Sequence, residues 1–205
     1  MSVPPRTLQV WFDFASADSH PLAMVVARRA ADAQVAVQWR PFRVEPVERR
    51  RAERDELPPP DERGSDETSY WHAFVRQCDE AGVKGRRPSH HPRDSIPALR
   101  AALACEAEGL DAGAFIRAAF DANYVRDWNI GDATVLGEVL VEIDYDAARV
   151  LERARSLEVR AQLDANTAEA LRQEFYGAPT LIASDGALHW GVDGLKRALA
   201  AAAAD

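Results

Sequence analysis

Strand-like alternation is confined to the two ends of this chain, and a long block of helical periodicity separates them. Residues 7–14, TLQVWFDF, alternate and are rich in β-branched and aromatic side chains, which predicts a strand. Ser16, Asp18 and Ser19 then precede Pro21, Leu22, Val25, Val26 and Arg29, residues suited to a helix start and to the turns that follow it. Residues 34–42, QVAVQWRPF, alternate again. A strand, a helix and a strand in that order give a parallel pair joined by a right-handed crossover. At the far end, residues 177–184 and 187–190 read as two strands on either side of Asp185-Gly186. Asp-Gly favours a type I′ hairpin, whose two central residues both need positive φ. Residues 191–203 form a closing helix. A chain written this way builds one sheet from its two ends and carries the middle as an insertion.

That middle has two parts. Residues 45–66 hold a charged run at 49–56 and the triple Pro58-Pro59-Pro60, which predicts a loop or linker. Arg49-Arg50-Arg51 lies among Glu48, Glu53, Asp55 and Glu56, so it reads as a solvated mixed-charge segment more than as an anion site. Helical spacing then runs through residues 70–80, 96–103, 115–124, 135–143 and 147–175, broken near Gly82, Pro92, Gly109 and Gly131. Asp132 and Asp146 are suited to cap two of these helices. The domain reading is residues 1–44 and 177–205 as the sheet domain, 45–66 as a loop, and 67–176 as an inserted helical domain. The fold class is α/β, and the order βαβ, helices, ββα is that of a thioredoxin-like fold with a large helical insertion.

Composition excludes several classes of partner. The formal net charge of −8 offers no positive field to attract nucleic acid or anionic lipid. No apolar run approaches the ~20 residues that cross a bilayer, so no membrane partner is expected. Residues 1–6 contain two prolines and no basic start before an apolar run, and a cytoplasmic protein is expected. The two cysteines, Cys78 and Cys105, form neither a CxxC pair nor a metal-ligand pattern, and their helical surroundings predict buried thiols. His90 and His91 are adjacent and would point apart, no HxxxH spacing occurs, and no glycine-rich loop follows a strand. No metal is expected.

Three places could carry chemistry. Ser16 lies where the first strand gives way to a helix, so its hydroxyl either caps that helix or, near the positive end of the helix dipole, steadies an anion such as a borrowed thiolate. Pro179, opening a strand, has no N–H for the sheet ladder. It is either an ordinary trans proline or a cis one that turns the Ala178 backbone toward Ser16, ready to pair with an extended ligand. Gly191-Val192-Asp193 begins the last helix and serves either as a plain N-terminus or as a holder of a ligand's charged end. His20, four residues after Ser16, allows a serine–histidine reading, but no G-x-S-x-G elbow exists. It is placed instead, with Phe42, in a substrate pocket.

In order and spacing these residues resemble the 2-hydroxychromene-2-carboxylate isomerase and kappa-class glutathione transferase branch of the DsbA-like thioredoxin superfamily. The resemblance rests on Phe12-Asp13-Phe14-Ala15-Ser16, Arg93-Asp94-Ser95, residues 124–132, Gly177-Ala178-Pro179-Thr180 and Trp190-Gly191-Val192-Asp193. It implies a cytoplasmic homodimer that binds glutathione, or another low-molecular-weight thiol. Ser16 would bond the sulfur, Ala178 beside a cis Pro179 the cysteinyl part, and Val192 with Asp193 the γ-glutamyl end. It implies reversible thiolate addition to a small aromatic or conjugated carbonyl substrate, with net isomerisation. A kappa-type transferase and a redox-inactive binding module are the alternatives, and Ser16 with Ser19 at the two positions of a CxxC argues against dithiol exchange. Where the family usually has Pro-Tyr-Ser after the serine, this chain has Ala17-Asp18-Ser19-His20, and Gly194 stands where an arginine is usual.

Overall fold

β1 (Thr7–Phe12) is apolar on both faces, which suits it to the middle of a sheet: Leu8, Val10 and Phe12 are fully buried on one side and Trp11 is buried on the other. The structure, a computed structural model, describes residues 6–54 and 67–204. After β1 come α1 (Ser19–Asp32), β2 (Ala36–Pro41), α2 (Val44–Glu53), α3 (Glu67–Ala81), α4 (Ile96–Ala107), α5 (Ala112–Tyr124), α6 (Ala133–Glu142), α7 (Ala147–Ala154) and α8 (Leu157–Arg172). The chain closes with β3 (Thr180–Ile182), β4 (Leu188–Trp190) and α9 (Gly191–Ala203). The sheet order is β2-β1-β3-β4. β1 pairs with β2 in parallel, from Thr7↔Ala36 to Phe12↔Pro41, and with β3 antiparallel, Trp11 opposite Thr180. The two ends of the chain therefore meet along β1, as the alternation predicts.

Each face of the sheet has its own core. Leu8, Val10 and Leu181 pack against Leu22, Val25, Val26 and Ala30 of α1 and Leu195, Ala198 and Ala202 of α9. Trp11 and Ile182 pack on the opposite face with Phe42, Val44, Val47, Ala170 and Phe175. A third core joins Phe12, Phe14 and Ala23 to the helices from α3 to α8. That shared core fixes the end of β1 against the insertion.

Three expectations change. Residues 45–53, read as the start of a loop, belong to helix α2, because the charged run hides an amphipathic pattern. Val44 and Val47 are buried, Glu45 and Arg49 pair at 2.9 Å one turn apart, and Arg50 with Arg51 sit at the favourable C-terminal end. The rest of that predicted loop, with Pro58 to Pro60, lies outside the described residues from 55 to 66. The continuous helical stretch at 147–175 is two helices, divided where the Ser156 hydroxyl accepts the Val159 N–H at 3.2 Å and starts α8. Asp132 and Asp146 do cap α6 and α7. The hairpin is not type I′. Only Gly186 has positive φ there, and its N–H bonds the Ala183 carbonyl at 3.0 Å, a turn inside a longer loop.

Candidate functional site

The chain leaves β1 through two tight turns before α1 begins, with the Ser16 N–H bonded to the Asp13 carbonyl and the Ser19 N–H to the Ser16 carbonyl. Asp13, lying between Phe12 and Phe14, is buried, and its carboxylate accepts the Ala15 N–H at 3.0 Å and the Val44 N–H at 2.8 Å. Burial raises its pKa, while these bonds and one from the Ser95 side chain act the other way. One carboxylate thus ties the Ser16 turn to the starts of α2 and α4. The Phe14 carbonyl accepts the Tyr124 hydroxyl at 3.0 Å and the Asn123 amide at 3.3 Å. Arg93 in turn donates to the Asn123 side chain at 2.9 Å, to the carbonyls of Trp128 and Asp127, and to the Asp127 carboxylate. The Ser89 N–H, helped by Arg93, holds Asp127 at a pKa of about 2. In the sequence Arg93 and Asp13 stand out only as members of motifs. An acid between two phenylalanines at a strand end was the available signal.

Ser16 is half-buried, and its hydroxyl donates to the Ala178 carbonyl at 2.7 Å, across 162 residues of chain. It therefore does not cap α1, which starts three residues later. The Ala178–Pro179 peptide bond is cis, and Thr180 begins β3 directly after it. The Pro179 carbonyl accepts the N–H of Gly191, whose φ of +70° lets the chain turn from β4 into α9. The structure brings Ser16, Ala178 and Pro179 together, and the first turn of α9 joins them through that bond. Val192 is half-buried and Asp193 is exposed in this first turn, where a carboxylate complements the helix dipole. Beside them Tyr176 and Trp190, each nearly half exposed, meet edge to face at 5.4 Å, and the Arg51 guanidinium lies 4.0 Å from the Tyr176 ring.

His20 and Phe42 do not line a pocket. His20 is fully buried among Phe74, Phe120 and Tyr124, its Nε2–H donates to the Lys84 carbonyl at 2.7 Å, and burial lowers its pKa, so the ring is neutral. The apolar face of α1 carries it into the core. Phe42 is equally buried, edge-on to Trp11 and Phe175, because it faces the core beneath α2 and α8. Cys78 and Cys105 are free and buried, as predicted, and burial pushes both thiols up to about 12. Among the described residues no helix is long and apolar enough to cross a membrane.

The model of the DsbA-like thioredoxin domain matches residues 7–202. The chain belongs to the DsbA-like thioredoxin family. Its fold is the thioredoxin-like DsbA fold, and solved structures agree. A 2-hydroxychromene-2-carboxylate isomerase superposes with a TM-score of 0.77 at 18% identity, over 93% of this chain and 91% of that one. A probable DsbA oxidoreductase from Streptomyces coelicolor gives 0.74 at 16% identity, over 97% and 90%. The cytosolic disulfide reductase DsbM from Pseudomonas aeruginosa, in a structure with GSH, gives 0.64 at 17%, over 89% and 88%. No curated protein matches. At these identities the structural likenesses establish the fold of this DsbA-like protein and leave its chemistry to its own residues.

Proposed function

We propose that this DsbA-like protein is a glutathione-dependent isomerase, in which Ser16 steadies the thiolate of a bound low-molecular-weight thiol. The observation that carries this reading is the 2.7 Å bond from the Ser16 hydroxyl to the Ala178 carbonyl beside the cis peptide. An extended thiol tripeptide that pairs its own N–H with that carbonyl competes for the acceptor and frees the hydroxyl to donate to sulfur. Val192 and Asp193 hold the ligand's amino end near the start of α9. The thiolate then adds to the electron-poor carbon of an alkene conjugated to a carbonyl: the C–S bond forms as the π pair moves onto oxygen. Rotation about the former double bond, now single, follows. Reversal breaks the C–S bond and returns the thiol, so the substrate class is a small aromatic or conjugated carbonyl compound.

Dithiol exchange lacks its reagents in this reading. Ser16 and Ser19 stand where the paired cysteines would be, and the chain's own thiols are buried and protonated. The isomerase likeness favours release of the thiol, and a thioether product would make the protein a transferase of the kappa kind. Glutathione added to the purified protein is expected to raise its melting temperature saturably, and less so in Ser16→Ala. No stabilisation by glutathione or any other small thiol contradicts the proposal.

A further inference from the structure

The sheet has two edge strands, and the molecule protects only one of them. Along β2 the outward-facing groups include Pro41, which has no N–H and whose carbonyl accepts the Asn166 amide at 2.8 Å, and α4 and α8 pack beside the strand. β4 has no such cover. The Gly191 N–H turns inward to the Pro179 carbonyl, so by alternation His189 also bonds inward, to Leu181. The N–H groups of Leu188 and Trp190 and the Leu188 carbonyl therefore point out of the sheet, and among the described residues nothing bonds them. No charged residue or proline blunts β4. Its outward groups run beside an apolar strip, because Leu188 and Trp190 share one face of the sheet and are 45% and 46% exposed, with Tyr176 at 44% edge-on to the Trp190 ring.

We propose that β4 pairs with β4 of a second copy of the chain, antiparallel about a two-fold axis at His189. The edge is its own complement. Leu188 of one copy stands opposite Trp190 of the other, so each Trp190 N–H donates to the Leu188 carbonyl across the axis, and His189 faces its own counterpart. Each Trp190 ring then lies between Tyr176 of its own copy and Leu188 of the other, and the two apolar strips cover one another. The area sets the strength. The three exposed side chains offer about 300 Å² on each copy, well short of the ~800 Å² per partner of a standard stable interface. The dimer is therefore reversible, forming at roughly 10–100 μM. Gly191 follows directly on the paired strand and holds the Pro179 carbonyl, so the contact also steadies the start of α9. It does not depend on what binds at Ser16.

Sedimentation equilibrium of the full chain, from about 1 μM to about 1 mM, tests this. The apparent mass is expected to climb from that of one chain toward that of two. Leu188→Lys and Trp190→Glu each place a charge on the apolar strip, and each alone is expected to weaken the dimer at least about tenfold. Both replaced side chains are half exposed, so both variants are expected to fold. Mixed in equal amounts they are expected to associate again. In the mixed pair one contact joins the introduced lysine to the introduced glutamate, and the other keeps Trp190 against Leu188. Hydrogen exchange of the wild type reads the register without a substitution: the Trp190 amide is expected to slow as concentration rises, while the His189 amide, already bonded to Leu181, does not change. A chain that stays monomeric throughout overturns the proposal. So does a dimer that both variants leave intact, a mixture no tighter than either variant alone, or a Trp190 amide whose exchange ignores dimerisation.

Discussion

The Asp18 carboxyl, whose pKa burial raises from 3.8 to about 6 on folding, binds more protons in the native than in the unfolded state between those values. Stability therefore falls as pH rises through that window. Asp18→Asn removes the penalty, and urea unfolding of the ligand-free protein should show the variant more stable at neutral pH by about 1–2 kcal/mol, the full shift being reduced for partial exposure. The two proteins should converge near pH 4. Asp13 behaves differently, although burial raises its pKa as well. Asp13→Ala strands the Ala15 and Val44 N–H groups, so a loss of about 2–4 kcal/mol is expected in the same measurement. Ser16, Pro179 and Asp193 were legible in the sequence because strand ends and helix starts restrict what serine, proline and aspartate do there. His20 and Phe42 were misplaced because residue type and spacing do not say which way a helix face or a strand end turns. The whole aromatic lining of Phe74, Phe120 and Tyr124 around His20 comes from α3 and α5, far away in sequence.

At the scale of elements, periodicity located every strand and most helices, and it failed where polar residues alone decide the outcome. α2 has only Val44 and Val47 as buried side chains, and its start depends on the Asp13 carboxylate, a partner 31 residues away that no local pattern announces. The division between α7 and α8 depends on one serine. Ser156→Ala should cost about 1 kcal/mol, the usual loss at an N-cap, seen as a lower midpoint in urea with an unchanged slope. A changed slope would indicate that the break reorganises the insertion. The hairpin was placed correctly and its turn type was not, because Asp185 takes negative φ once the loop extends to five residues between the Ile182↔Leu188 pair.

Over the whole molecule, β1 is the strand around which function is arranged. Its end feeds the Ser16 turn, its antiparallel neighbour β3 begins directly after Pro179, and its last residue Phe12, with Phe14 just beyond it, enters the core of the insertion. Asn123, Tyr124 and Arg93 fix the same turn from the helical side, so the site lies where both halves of the fold converge. In the proposed function this scaffold serves a thiol from outside. Its own two thiols should stay unreactive toward a disulfide reagent at about pH 8 until the chain unfolds, since each is buried. The most direct test of the account is the pKa of glutathione bound to the wild type and to Ser16→Ala, read from thiolate absorbance against pH. The account predicts a value at least about one unit lower in the wild type, worth ~1.4 kcal/mol of stabilisation by the serine. Identical values in the two proteins would contradict it.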